Sequence, residues 1–488
     1  MFWTWLSAHA ATLTVDQAGG GDFTTIADAI ASAASGDTIE VGPGTYGDPL
    51  RTAALDLTLH ATDGPETTHL VEAAGGPILV VDGGRVALEG FDLTTQGLCV
   101  RVRTGAIELR DAVLRECAGA LGGALRLEVG TTAVIEGSTF SANTTVGDGA
   151  RRGAAIYSRA DVLEIRDSTF VGNLSDGDGG AIVIAVGANT IERTTFDGNR
   201  SGQKGGAILV EGAARTFDDG VVGTGVVSLG VTDSTFTGND ASLGGGGLWI
   251  QDSPEVELRG NKFCANDGGD QGGGVRVAPV TPVVMSRNVF QENSAGEGGG
   301  AYVGGGELTL DGNDWLGNVA DGFGGGLGAQ ATAVTATHEV FAWSTGVGLA
   351  LRTDGTLAGG WNAYWANDPA DLQNAEPGED DVLADPLLGG VSLDGDCSND
   401  DYTPSEGSPL IDAGDPSQTD EDGTTRDIGV VSRPAPPPSE DPVVEEEPSG
   451  CGCDHRGGGL PWAALLLTAT VAQRRSRRSS PSKAASHT

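Results

Sequence analysis

Seven times between Ser138 and Leu327 the chain repeats one phrase: an aromatic, two residues, an asparagine, a short polar loop, two or three glycines and an apolar residue. The aromatics are Phe140, Phe170, Phe196, Phe236, Phe263, Phe290 and Trp315, and their asparagines are Asn143, Asn173, Asn199, Asn239, Asn266, Asn293 and Asn318. Leu114 and Cys117 occupy those two places in a weaker first copy. Most copies lie 25 to 30 residues apart, the length of one solenoid coil. A single coil of that kind cannot bury its apolar face and must stack on its neighbours. Equivalent residues would then sit about 4.8 Å apart, phenylalanine on phenylalanine inside and asparagine amides bonding along the axis. These fourteen positions are therefore read as structural ladders rather than as a binding surface.

Composition agrees with a stack of tight turns. Glycine takes 80 of 488 positions without a three-residue period, and it clusters where turns are expected. The net charge is −40, with Lys204, Lys262 and Lys483 the only lysines, so the chain should repel nucleic acid and anionic membranes. Cations, neutral glycans or basic proteins are the partners such a surface admits. The six cysteines fit no zinc spacing and are too few for a disulfide scaffold. Cys99 and Cys117 would bridge adjacent coils in an exported protein and would be two small buried thiols otherwise.

Around the repeats the chain changes character several times. Residues 1–11 carry a short apolar run and the small-x-small pattern Ala8-His9-Ala10, read as a curtailed signal peptide, with an irregular first strand as the alternative. Further on, Ile26, Ile30 and Ala33 share one face of a helix that Asp22 or Thr24 would cap, placed to shield the first strand edge. The β-helix is assigned to residues 12–432, with regular repeats over 114–327 and closure near Val431. Between Phe196 and Phe236 the step grows to 40 residues, which places a loop at 211–225. Residues 433–449 form a Pro/Glu linker, 450–478 a segment of Cys451, Cys453, an apolar stretch and an arginine cluster, and 479–488 a basic polar tail.

Three stretches resemble known families. The run VDQAGGGDFTTIADAIASAASGDTIEVGPGTY, residues 15–46, resembles the N-terminal cap of pectin-lyase-like right-handed parallel β-helices. The phrases around Phe170 and Phe196 resemble polymorphic outer-membrane-protein repeats, and residues 450–478 resemble the tripartite C-terminal sorting signals of myxobacterial surface proteins. The apolar part of that segment is short of the roughly 20 residues that span a bilayer. Together the likenesses imply an all-β, right-handed parallel β-helix of about a dozen coils with a short capping helix. They also imply export to the outer membrane or cell surface, a sorting protease as partner, and processing or lipidation at Cys451 or Cys453.

Chemistry is harder to place. Pectinesterase-like or lyase-like catalysis needs clustered carboxylates or a Ca²⁺ set, and no catalytic residue can be named. Asp148, Asp176, Asp178, Asp267, Asp270, Glu297 and Asp321 recur in the turns, where they would make an acidic stripe or simply solvated turns. Asp394, Asp396 and Asp400, and separately Asp420, Asp422 and Asp427, offer oxygen ligands for Ca²⁺ without the EF-hand spacing. No other cofactor is expected. Trp361, Tyr364 and Trp365 would give a sugar-stacking platform or pack over the final coil. His60, His69 and His338 have no nucleophile motif beside them. The resulting expectation is an envelope-anchored, non-catalytic surface protein, adhesin-like or structural, that meets a glycan or a cell-surface protein. The alternative is a carbohydrate-active lyase or hydrolase.

Overall fold

The computed structural model describes residues 10–431 apart from 73–75, 148–149, 213–214, 217–221, 224–226, 254 and 279–281, with backbone alone for 215–216 and 222–223. These residues belong to the first of two compact units, 1–436; the second, 437–488, lies outside the described residues. So do the signal-peptide assignment at 1–9, the linker from 433, Cys451, Cys453 and Asp148.

The chain winds as a right-handed parallel β-solenoid of about 13 turns, with one helix among the described residues. One coil shows the rule. Ile156–Ser158 forms a first face, Val162–Arg166 a second and Thr169–Val171 a third, each pairing in parallel with its equivalent one coil on. Alternate residues point inward, so Ile156, Leu163, Ile165 and Phe170 are fully buried. In the coils at Leu79–Glu89, Val100–Arg110, Ala301–Asp311 and Leu327–Thr337 a single 11-residue strand serves both the first and second faces. In the coils from Leu125 to Leu327 the turn into the first face needs glycine. Gly205 has φ +67°, and a Cβ there would sit 2.3 Å from the Ile208 carbonyl oxygen.

The third face is a 13-stranded parallel sheet that carries the aromatic ladder. Ring centroids from Phe140 to Tyr364 follow at 4.1–5.6 Å with planes within 13°. The ladder is longer than the repeat motif. Tyr46, Leu70, Leu93 and Leu114 precede the phenylalanines in register, and Phe341 and Tyr364 follow Trp315. Beside it each asparagine Nδ2, from Asn143 to Asn293, donates to the next coil's Oδ1 at 2.9–3.0 Å. The same amide also donates to the preceding coil's carbonyl, as Asn239 does to Phe196 O at 3.0 Å. Both lone pairs and both protons are thus used inside the core.

A second ladder runs two residues ahead of the aromatics. Asn261, Asn288 and Asn313 bond in sequence at 2.9–3.0 Å, and Glu339 receives the last of these bonds. Ser138, Ser168, Thr194 and Ser234 hold the same place in earlier coils and are buried.

Several expectations are corrected. Thr25, not Asp22 or Thr24, caps the helix Ile26–Ser32, because its hydroxyl accepts from the Asp28 N–H at 3.1 Å. Asp22 is occupied by Thr14 instead. Ile26, Ala29 and Ile30 are buried, while Ala33 is the C-cap. The coils end at Ala363–Trp365 and Leu372–Gln373, well before Val431. From about residue 383 the chain turns back along the outside of the third face, where Leu388, Tyr402, Leu410 and Ile428 pack on Val340 and its neighbours. The long step contains an antiparallel pair, Arg215–Thr216 with Val222–Gly223. Cys99 and Cys117 are bonded, with Cα atoms 5.7 Å apart. Cys264 and Cys397 form a second bridge, across 133 residues, that nothing in the sequence pattern points to.

Candidate functional site

In the glycine-apolar phrase the residue between the two inward ones faces out of the solenoid. In six successive coils it is Tyr157, Val183, Leu209, Trp249, Arg276 and Tyr302, aligned by strand register. Outward positions are ordinarily polar, yet Tyr157, Val183, Leu209 and Trp249 form a buried apolar cluster of their own. A signal was present in the sequence, since large side chains fill the middle of Ile-Tyr-Ser, Ile-Val-Ile and Leu-Trp-Ile.

Cations flank this row. Lys204 Nζ lies 5.0 Å from the Trp249 ring centroid, and the Arg276 guanidinium carbon lies 4.4 Å from Trp249 and 5.4 Å from Tyr302. Both are tied to neutral amides: Lys204 Nζ donates to Gln251 at 3.3 Å and Arg276 Nε to Gln271 at 3.2 Å. Neither makes an ion pair with a carboxylate among the described residues. Trp249 Nε1 and Arg276 Nη1 are buried donors with no hydrogen-bond partner among the described residues. Burial pulls the Arg276 pKa down and pushes the Tyr157 and Tyr302 hydroxyls up.

The nearby carboxylates, by contrast, are engaged. Arg152 Nη1 holds Glu211 at 2.6 Å, and Arg352 holds Glu297 at 2.6 Å. Glu128 is ringed by Arg101, Arg126 and Arg159. Burial would raise the Glu128 pKa, but hydrogen bonds from Arg159 and Arg101 hold it below the usual range. The groups of the row left unmet among the described residues are therefore donors and positive charges.

The residues singled out from sequence fall elsewhere. Tyr364 is 1% exposed and closes the aromatic ladder, Trp361 stacks on His338 at 6.2 Å, and only Trp365 is substantially exposed, at 36%. The three do not make one platform, because Tyr364 points inward and its neighbours outward. Nor is the acidic stripe continuous: Asp267 stacks on Asp240 and Ser294, and Glu297 lies beside Gln271. Asp176 pairs with Arg151 at 2.9 Å, Asp178 lies 3.8 Å from Arg152, and Asp270 and Asp321 are exposed.

The proposed Ca²⁺ ligands take part in loop hydrogen bonds. Asp394 Oδ1 accepts from Asp396 N, Asp396 from Ser398, and Asp400 from Ser392 and Gln291. Asp422 accepts from Thr424, Asp427 from the Asp412 N–H, and Asp420 from the Asp427 N–H. Among the described residues no group of three or more His, Cys, Asp or Glu side chains is arranged to hold a metal.

Two further polar clusters exist. His69 Nδ1, at 2.8 Å, and Arg115, at 2.8 and 2.9 Å, both bind Asp92 beside a cleft of about 300 Å³. Two carboxyls are fully buried, Asp314 under the returning segment and Glu339 in the second ladder, and burial pushes each up to about 8. His338 joins them: its Nε2 accepts from Asp415 N at 3.0 Å, leaving Nδ1 to donate to Asp311 at 3.1 Å. Burial would raise Asp311, but His338 and Arg426 hold it down at about 2. His60 lies 3.5 Å from Glu89 on the exterior.

Comparison with known proteins bears on the fold. Residues 152–315 match the family model described as a right handed beta helix region. No curated protein matches the chain. Among solved structures, a pectin methylesterase mutant in complex with a hexasaccharide is 13% identical, covering 51% of this chain and 90% of its own, at a TM-score of 0.33. The pectin methylesterase of Aspergillus niger is 12% identical, covering 76% and 92%, at 0.24. A pectate lyase is 15% identical, covering 88% and 97%, at 0.25. Scores of this size carry no argument about ligand or reaction.

Proposed function

We propose that this chain is an exported, envelope-anchored surface protein whose β-helix holds an acidic saccharide without transforming it. The row from Tyr157 to Tyr302 carries the reading. It sets a buried apolar and aromatic cluster beside two cations that have no carboxylate partner among the described residues, and it leaves buried donors with no acceptor among those residues. A carboxylated glycan offers both an apolar ring face and acceptor oxygens. Turning such a glycan over would need a carboxylate or imidazole free to move a proton, whereas Glu211, Glu297 and Glu128 are each clamped by arginine. Two disulfides support an oxidising compartment.

Titration with acidic and neutral oligosaccharides tests the reading. Arg276→Gln combined with Lys204→Gln should weaken the acidic ligand by about 10-fold or more and leave melting unchanged. Equal binding of neutral and acidic sugars would sink it. Release of unsaturated products or reducing ends from polygalacturonate, pectin or alginate, abolished by Glu211→Gln, would install the enzyme reading instead. Anchoring through 450–478 and a sorting protease rest on resemblance alone. Mature protein from a native-like host should lack residues 474–488 and partition with the envelope, and Cys451→Ala with Cys453→Ala should release it.

A further inference from the structure

The returning segment, residues 383–431, lies against a surface built unlike the rest of the solenoid. On the third face, the outward position after the inward residue is mostly polar in earlier coils, as Arg115, Ser141, Asp197 and Thr237, with Val171 the exception. Where the segment lies, Val289, Leu316, Val340, Ala342 and Ala363 line the face with Gln291 and Asp314 among them, all 4% exposed or less. The segment covers that apolar patch with almost no regular structure: its β-bridges are the single ones from Gly390 to Asp401 and from Thr419 to Thr425, beside scattered backbone hydrogen bonds such as Ile428 N to Leu410 O and Gly429 N to His338 O. Ordering irregular backbone loses conformational entropy without a ladder of hydrogen bonds in return. Polar contacts help to seat it. Gln291 donates to Asp400 at 2.6 Å and accepts from the Tyr402 hydroxyl at 2.8 Å, and Asp314 accepts from Val430 N at 3.1 Å.

One covalent tie joins the two surfaces. Cys264 takes an outward position on its strand and bonds Cys397 in the segment. Its bond closes a loop of 133 residues, the kind of long closure that most restricts the open chain. Cys264 is 2% exposed and Cys397 4%, so the closed segment covers its own bond.

We propose that residues 383–431 form a redox-set latch: the strap closes stably over the apolar patch only once Cys264 and Cys397 are joined, and once closed it shields that bond from reductants. Joining is thiol–disulfide exchange. The two thiols pass two electrons and two protons to a disulfide oxidant, R–S–S–R, which leaves as two R–SH while the Cys264–Cys397 bond forms. Before oxidation the chain carries an exposed apolar strip on an otherwise strongly acidic protein. After it, the strip is hidden and the latch does not reopen under mild reductant.

Hydrogen exchange on the full chain tests this, comparing wild type with Cys264→Ser/Cys397→Ser and, as a control, Cys99→Ser/Cys117→Ser. The first variant should exchange about 10-fold faster or more across 402–431, bind a hydrophobic dye, and keep wild-type protection in coils 12–373. The control should leave the strap as it is. Native wild type should release no thiol from Cys264 or Cys397 in dithiothreitol, and should release both when denaturant opens the strap. Wild-type strap protection in the first variant would overturn the latch, as would prompt native reduction of Cys264–Cys397. Should that variant fail to fold, the thiol-release measurement on wild type decides alone.

Discussion

Glu339 shows how one substitution in a repeat changes the physics of a core. Its place belongs to asparagine in the three preceding coils, and it inherits their duties by accepting from Asn313 N, Asn313 Nδ2 and Trp315 Nε1. A carboxylate there would be a buried charge, and burial pushes its pKa from 4.5 up to about 8. A carboxyl with a raised folded pKa stabilises the fold fully below its unfolded value and loses that contribution as pH rises through the folded one. Melting temperature should therefore fall between pH 5 and pH 9, through a loss on the order of a few kcal/mol shared with Asp314. Glu339→Gln should make that slope shallower, whatever constant penalty its amide incurs opposite Trp315. An unchanged slope, read by thermal melts across the range, would place the titration elsewhere.

At the scale of the element, the ladders make each coil depend on the next. Asn239→Leu would strip acceptors from Asn199 N and Nδ2 and a donor from Phe196 O, for about 1–3 kcal/mol. Phe236→Ala would open a cavity between Phe196 and Phe263, for about 3–5 kcal/mol. Denaturant melts of both variants coinciding with wild type would mean that the inward register is wrong. These ladders were readable from sequence because stacking turns a period along the chain into a contact in space. The same logic explains what the sequence pattern does not carry. Ser138 and Asn288 share one period but differ in residue type, so the second ladder hid behind its substitutions. Tyr364 lies past the last glycine phrase, where the pattern fits a sugar-stacking platform and packing over the final coil alike. Cys264 and Cys397 belong to no period, and a pairing across 133 residues depends on where an irregular segment happens to return.

For the whole molecule the decisive quantity is a net charge of −40 around a row that offers positive charge. Long-range and local electrostatics then oppose each other for an acidic saccharide. At about 0.01 M salt the Debye length is roughly 30 Å, and the ligand meets the repulsion of the full acidic surface. At about 0.15 M it shrinks to roughly 8 Å, which removes most of that repulsion, while contacts to a partly buried guanidinium such as Arg276 are screened far less. Affinity for an acidic oligosaccharide should consequently rise, not fall, between those salt concentrations, the reverse of what a basic binding surface gives. Most of the gain should appear in the association rate, where long-range fields act. Calorimetric titration at three salt concentrations, with Arg276→Gln beside wild type, reads this directly. If affinity instead falls steadily from the lowest salt, and falls equally in the variant, the ligand is held by exposed arginines such as Arg151 and Arg193, and the Tyr157–Tyr302 row is a structural seam.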